Sequence, residues 1–346
     1  MCNISGYAGT RQAAPILVDM LMRQEGLAGG YYTGIVTWHE GKFYSYKLTG
    51  DTQKLLDTFD VLNMPGTVGI IHSRSKAGGG DEWSHPFAGR DPAGNILNYY
   101  VANGTMGYFK PFEAQNNALA LQLEAQGYHH FDSRVRIESD RYQTLSDGCK
   151  VHISDTMAQL IAHNQLQGLP AHRAMEKSFC EMPAELAALL LSAREPEKIF
   201  YCVNNRPMTI ARADHGMYLN SAALALPEDA QYLQQLPMHT SGWVSADRYE
   251  IHPFEKPMAE TDAMDARVIA RAYDIIVQAL SEGEKPCKEL NAAIKPLFGD
   301  RLTPCVRVTY EVLYALRREG RLQERIIRVE GAFPHLTAPQ TMFSVK

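Results

Sequence analysis

The chain has 346 residues, 45% hydrophobic and 21% charged, with a formal net charge of -5. That length allows two domains with a large core, and the acidic balance excludes the basic field of a nonspecific nucleic-acid binder. No apolar run reaches the ~18–20 residues of a membrane span. The opening MCNISGYAG lacks the charged and apolar regions of a secretory signal, so a cytoplasmic protein without a membrane partner is expected.

In chain order, the N-terminal part alternates β-rich and helical runs. Strands are predicted at Tyr31–Trp38, Lys42–Lys47, Thr67–His72, Ile96–Ala102 and Val151–Ile153, and then at Ile199–Val203, Met208–Ala213, Met217–Leu219 and Trp243–His252. Helices are predicted at Ala14–Gln24, Pro111–Gln126, Thr156–His163 and Ala174–Leu191. Paired strands split by turn residues such as Glu40-Gly41 point to antiparallel hairpins. The pattern is that of a layered α+β fold rather than a regular βαβ alternation. Pro253 and Pro257 break it, and a linker is expected at 256–262. Beyond it, Met264, Val268, Ala272, Ile276 and Leu280 fall at helical spacing. Helices near Cys287–Leu297 and Pro304–Arg318 follow, then strands at Leu322–Val329 and Ala332–Val345. Three helices and a hairpin are the order of a winged helix, so residues 263–346 are expected to form a small winged-helix-like domain.

The six cysteines, at 2, 149, 180, 202, 287 and 305, form no CxxC pair, and the twelve histidines form no HExxH. P-loop, GxGxxG and GxSxG signatures are absent as well, so neither a metal nor a cofactor is expected. Removal of Met1 would leave Cys2 with a thiol and an α-amine on one residue. An amine with a pKa near ~7.7–8 can serve as that thiol's base. His72 and Arg74 close an apolar strand, where the guanidinium either joins a structural ion pair or grips a carboxylate with two parallel hydrogen bonds. Asn103-Gly104 ends another strand, as a plain turn or as an amide and N–H pair suited to an oxyanion. Asp155 stands near a helix start, as a cap or as an acceptor for an ammonium group.

The order and spacing of these residues resemble those of class II glutamine amidotransferases. The matching segments read Met1-Cys2-Asn3-Ile4, Ile71-His72-Ser73-Arg74, His85-Pro86, Asn103-Gly104 and Ser154-Asp155-Thr156. Tyr31-Tyr-Thr-Gly-Ile35, Ala211–Asp214 and Tyr218–Leu224 extend the likeness over about residues 2–255. It is a likeness to the glutaminase domain of glucosamine-6-phosphate synthase, without the isomerase domain. The resemblance implies a four-layer αββα N-terminal-nucleophile (Ntn) hydrolase sandwich over 2–255. It also implies that Cys2 attacks the side-chain amide of L-glutamine. Asn103 and Gly104 would hold the oxyanion, Arg74 the α-carboxylate and Asp155 the α-ammonium, with His72 lining the site. Two departures stand out: Asn3 occupies a position where the family has glycine, and Ser75-Lys76-Ala77 replaces an aromatic residue and a threonine in the loop over the substrate. Trp83 is read as a packed tryptophan, with an aromatic cover for the pocket as the alternative.

The C-terminal stretch is too short for a sugar isomerase, a phosphoribosyltransferase or an ATP-using synthetase, so the expectation is either a separate synthase subunit that receives the ammonia or a plain glutaminase-like hydrolase. Association of like chains is expected too. From Asp262 to Lys346 there are 13 Lys and Arg against 11 Asp and Glu, a net of +2. Arg301, Arg307, Arg317, Arg318, Arg321, Arg325 and Arg328 are the candidates for DNA phosphate contacts. Interleaved glutamates favour a solvated face or a protein-docking module over DNA. The alternative reading is a weak or inactive amidotransferase-fold sensor that binds DNA or protein through this part. A third is hydrolysis of another amide by the same cysteine.

Overall fold

A computed structural model describes residues 2–76, 78–104, 110–138, 142–256, 265–298 and 304–346. Met1, Ala77, Arg301 and residues 257–262 of the expected linker lie outside them. The chain begins with β1 (Asn3–Gly9), α1 (Ala13–Ala28), β2 (Tyr32–His39), β3 (Lys42–Thr49), α2 (Thr52–Thr58), β4 (Val68–Arg74), β5 (Phe87–Arg90) and β6 (Ile96–Gly104). Next come α3 (Glu113–Ala125), β7 (Gln143–Thr144), β8 (Lys150–Val151), α4 (Ile153–Leu166), α5 (Ala171–Glu181), β9 (Glu185–Ser192) and β10 (Ile199–Val203). The hairpins β11 (Thr209–Ala213) with β12 (Gly216–Asn220), then β13 (Gln231–Gln235), β14 (Thr240–Val244) and β15 (Tyr249–Pro253) complete this part. The remainder is α6 (Ala266–Ser281), β16 (Lys285–Pro286), α7 (Cys287–Ile294), α8 (Cys305–Arg318), β17 (Leu322–Glu330) and β18 (Thr337–Val345).

Two antiparallel sheets stack face to face, ordered β13-β11-β12-β1-β4-β2-β3 and β15-β14-β10-β9-β6-β5. Side-chain alternation sorts the residues into layers. Ile4, Val36, Ile70, Leu189, Leu191, Ile199 and Tyr201 fill the space between the sheets. From the opposite faces of the same strands, Tyr7, Ile35 and Ile71 pack on Leu17, Val18 and Leu21 of α1. Leu190, Phe200 and Cys202 pack on Met157, Ile161, Met175 and Phe179 of α4 and α5. The order is helix, sheet, sheet, helix. A Cβ on Gly6 would come within 3.0 Å of Ile199 Cδ1 and 3.2 Å of Leu189 Cδ1, so the sheets meet closely there. Leu189→Ala is expected to lower unfolding free energy by about 2–5 kcal/mol, read by chemical denaturation.

Several expectations are corrected. Ala174–Leu191 is not one helix: α5 ends at Glu181, and Glu185–Ser192 is an inner strand. A strand buried on both faces loses its polar alternation, and its Leu and Ala residues favour helix locally. Ile153 opens α4 instead of closing a strand, so Asp155 is the helix's third residue and His152 its cap. The predicted strand Trp243–His252 is the hairpin of β14 and β15. β1, β5 and β13 were not anticipated.

The C-terminal segment shares a core with the rest of the chain. Leu27 of α1, Ala222 and Leu224 join Ala272, Ile276, Leu290, Val308, Leu313 and Phe343. β16 adds a third strand to the terminal hairpin, in the order β16-β18-β17. Of the seven candidate arginines, five are engaged within the chain. Arg307 donates to Leu236 O, Arg317 to Leu224 O and Glu324, and Arg328 to Asp51. Arg321 pairs with Glu319 and Arg325 with Glu284.

Candidate active site

Cys2 immediately precedes β1. Antiparallel pairing sets Asn3 opposite Ser73, which carries Cys2 to the Arg74 end of β4. From the other sheet, β6 brings Asn103, whose Nδ2 donates to Cys2 O at 3.2 Å across 101 residues of sequence. A bulge between Asn103 and Gly104 closes the β6–β9 ladder, with Gly104 opposite Glu185. The pair is therefore a strand end, not a hairpin turn. Cys2, Asn103 and Gly104 meet where the two sheets end.

Arg74 is buried at 3% exposure, which removes the surface reading. Its Nη1 donates to Gly78 O and Trp83 O, both at 3.1 Å, and its Nη2 to Tyr142 Oη at 3.4 Å. The guanidinium lies over the Tyr32 ring, 4.8 Å from its centre. Among the described residues no carboxylate pairs with it. Trp83 is packed, with its ring centre 4.0 Å from that of Tyr142. Its Nε1 donates to Ser133 O at 2.8 Å. Ser133 in turn donates from N and Oγ to Asp155 Oδ2, at 2.7 and 2.6 Å. A chain of hydrogen bonds thus joins Arg74 to Asp155 through Trp83 and Ser133.

Asp155 is fully buried, and its Oδ1 has no hydrogen-bond partner among the described residues. Burial pushes its pKa up to about 7, with Asp132 adding to the rise; Ser133 and Lys47 oppose it. A buried acceptor left open costs free energy unless a ligand satisfies it. Lys47 lies near, its Nζ 4.0 Å from Asp132 Oδ2, and burial lowers its own pKa.

His72 donates from Nε2 to Ala102 O at 2.9 Å, and burial lowers its pKa to about 3. His85 stacks on it at 4.0 Å, and His152 stands 5.5 Å from His85. Burial also holds both of these well below the usual histidine range. Held neutral by burial, the three rings shape the wall and leave the positive charge to side chains such as Arg74 and Arg206, the latter near enough to interact with Cys2.

The departure at Asn3 has a structural reason. Its Oδ1 accepts from Gly29 N at 2.8 Å, fixing the turn after α1. Tyr310 of α8 lies beside it, close enough to be influenced by Asn3 and Cys2. The loop after Arg74 is likewise tied to the C-terminal segment, through Lys76 Nζ and Glu330 Oε1 at 3.1 Å.

All six residues singled out from sequence lie along the connected ends of β1, β4, β6 and α4. Glu185, Ser133 and Tyr142 were missed. Glu185 was hidden inside the misread helix; a strand reading of the Pro183-bounded run would have set it beside Gly104.

No family model matches the chain. It is 28% identical over 242 residues to the glutamine–fructose-6-phosphate aminotransferase (isomerizing) of Pyrococcus horikoshii, covering 67% of this chain and 35% of that protein. Against the protein of the same name from Chlorobaculum tepidum it is 25% identical over 260 residues, or 74% and 38%. The match therefore spans little more than a third of the length of these curated relatives. Among solved structures, glutamine phosphoribosylpyrophosphate amidotransferase from B. subtilis, complexed with ADP and GMP, superposes with a TM-score of 0.57. That match has 17% identity and covers 81% of this chain and 58% of that one. A structure described as the allosteric regulatory enzyme of purine biosynthesis gives 0.58 at 16% identity, covering 90% and 63%. At such identities the structural likeness is one of fold.

Proposed function

Starting from a chain that resembles the class II Ntn glutamine amidotransferases in sequence and fold, we propose that it hydrolyses the side-chain amide of glutamine through Cys2. The meeting of Cys2 with Asn103, 3.2 Å apart at the ends of two different sheets, carries this reading. With Cys2 as first residue, its α-amine takes the thiol proton as sulfur attacks the amide carbon. Asn103 Nδ2 and the Gly104 N–H stabilise the oxyanion. The amine then hands its proton to the departing nitrogen, leaving a glutamyl thioester and ammonia. Water, deprotonated by the same amine, cleaves the thioester to glutamate and returns the thiol. Arg74 grips the α-carboxylate, and the open Oδ1 of Asp155 takes the α-ammonium. The neutral His72 packs the wall between them.

We further propose that the ammonia is passed to a separate synthase. We read residues 263–346 as a winged-helix-like domain that docks on the glutaminase part. The engagement of Arg307, Arg317 and Arg328 with the N-terminal part supports docking over DNA contact. The test is incubation of the chain beginning at Cys2 with glutamine, measuring both products. Equal yields of glutamate and ammonia are expected, and a correctly processed chain releasing neither refutes the reading.

A further inference from the structure

Among the described residues, Glu185 is a buried carboxylate set directly against the end of β6, and the chemistry above makes no use of it. It opens β9 at 1% exposure, opposite Gly104. A Cβ on Gly104 would lie 2.2 Å from Glu185 Oε2 and 2.8 Å from Ala184 O, so carboxylate and glycine are in direct contact. Ser154 Oγ donates to Glu185 Oε1 at 2.5 Å. Asn204 Nδ2 holds the Glu185 backbone oxygen at 2.7 Å. Ser154 directly precedes Asp155, and Gly104 directly follows Asn103. One carboxyl group therefore braces the strand end that holds the oxyanion against the helix start that holds the ammonium.

We propose that Glu185 is a positioning residue for the nucleophile: as the neutral acid it braces Gly104 and Ser154 around Cys2, and as the carboxylate it opposes the thiolate and the oxyanion. Among the described residues, the titratable groups facing it are Cys2, before β1, and Tyr100 of β6. α4 contributes the Ser154 hydroxyl and the loop after β10 the Asn204 amide. Burial raises the Glu185 pKa to about 7 and proximity to Cys2 adds to the rise, while Ser154 opposes it. Tyr100 is neutral, because burial drives its own pKa well up. The acid form therefore prevails below neutrality, and negative charge builds beside the thiol as pH rises. By Coulomb's law, a unit charge about 4 Å away disfavours the thiolate by roughly two to three orders of magnitude at an effective dielectric of about 20, and by less as the separation grows.

The proposal rests on Cys2 as nucleophile, and its test has two arms, one of which needs no turnover. In the first, iodoacetamide alkylation of Cys2 is followed by peptide mass from pH 5.5 to 9.5 in wild type and Glu185→Gln. The glutamine side chain keeps an acceptor for Ser154 and cannot ionise. The variant is expected to show a lower apparent thiol pKa and, at pH 8, alkylation faster by roughly tenfold or more. In the second arm, kcat/KM for glutamine carries in wild type a loss that sets in as pH rises through about 7, and that loss is absent in the variant. Ser154→Ala removes the donor that favours the charged form, so the same loss sets in at higher pH; it serves if Glu185→Gln does not fold. Superimposable profiles in wild type and the folded variants overturn the proposal while glutamine turnover stands. A shifted alkylation profile without turnover overturns the glutaminase reading and leaves Glu185 in place.

Discussion

Cys2→Ala is expected to reduce glutamine hydrolysis to background, a loss on the order of 10⁴-fold or more, while the protein still folds and binds glutamine. The size follows from the covalent route, since without the thiol there is no thioester and no second half-reaction. Oxyanion donors alone cannot replace a nucleophile; in the proposed mechanism Asn103 and Gly104 act on charge that develops only after attack. Binding survives because Arg74 and Asp155 are held by Gly78, Trp83, Tyr142 and Ser133, none of which depends on the Cys2 side chain. Exchange of a small buried thiol for a methyl group also leaves the strand pairing of β1 intact. Product assay, thermal shift with added glutamine, and intact mass after an electrophilic glutamine analogue read the three parts separately. Turnover retained by a Cys2→Ala chain would remove the nucleophile from the mechanism.

The candidate site residues carried clearer sequence signals than the strands around them, and the reason is physical. Cys2, Arg74, Asn103, Gly104 and Asp155 each sit at the end of an element, where the chain leaves hydrogen-bonded order and side chains are free to face a ligand. Such ends carry recognisable signals: an apolar run stopping at His72 and Arg74, or an Asn-Gly step after Val101 and Ala102. The inner strands carry no such signal. Glu185–Ser192 alternates between two different cores, so every residue is apolar after Glu185 until Ser192 and periodicity vanishes. β1 was passed over for the opposite reason, its small and polar residues Asn3, Ser5 and Gly6 giving it little strand propensity. It is a central strand because Gly6 lets the sheets approach and because Ser5 is satisfied by Asn220 at 3.1 Å. Tertiary context overrides local preference at both places.

The C-terminal segment bears on the site as well as on the fold. Tyr310 stands behind Asn3, and Glu330 holds Lys76 of the loop that follows Arg74. Asn3 and Lys76, two of the residues at which this chain departs from the class II amidotransferase pattern it resembles, thus both touch the C-terminal segment.

Asp155→Asn is the second large effect expected, and its sign comes from the hydrogen bonds already made. Asp155 Oδ2 accepts from both Ser133 N and Ser133 Oγ, so an asparagine must place its single oxygen there to keep that loop. Its NH₂ then occupies the Oδ1 position and points donors at the ammonium that the carboxylate would have accepted. Losing one partner of a buried, charged hydrogen bond costs about 2–5 kcal/mol, or roughly 30- to 5,000-fold in kcat/KM for glutamine. Glutaramate, which lacks the α-amine, should be hydrolysed about equally by wild type and variant, so the loss lies in discrimination between the two substrates. The pH dependence follows from the Asp155 pKa of about 7, raised by burial and Asp132 and restrained by Ser133 and Lys47. Below that value the free site is protonated, and ammonium binding must release the proton. The preference of wild type for glutamine over glutaramate therefore falls as pH drops through 7, by up to about tenfold per unit. In Asp155→Asn that preference is small and flat with pH. Taking the ratio of the two substrates cancels the ionisations of Glu185 and the α-amine, which act on both alike. A wild-type ratio that does not change between pH 5.5 and 8 would show that Asp155 does not meet the substrate's ammonium.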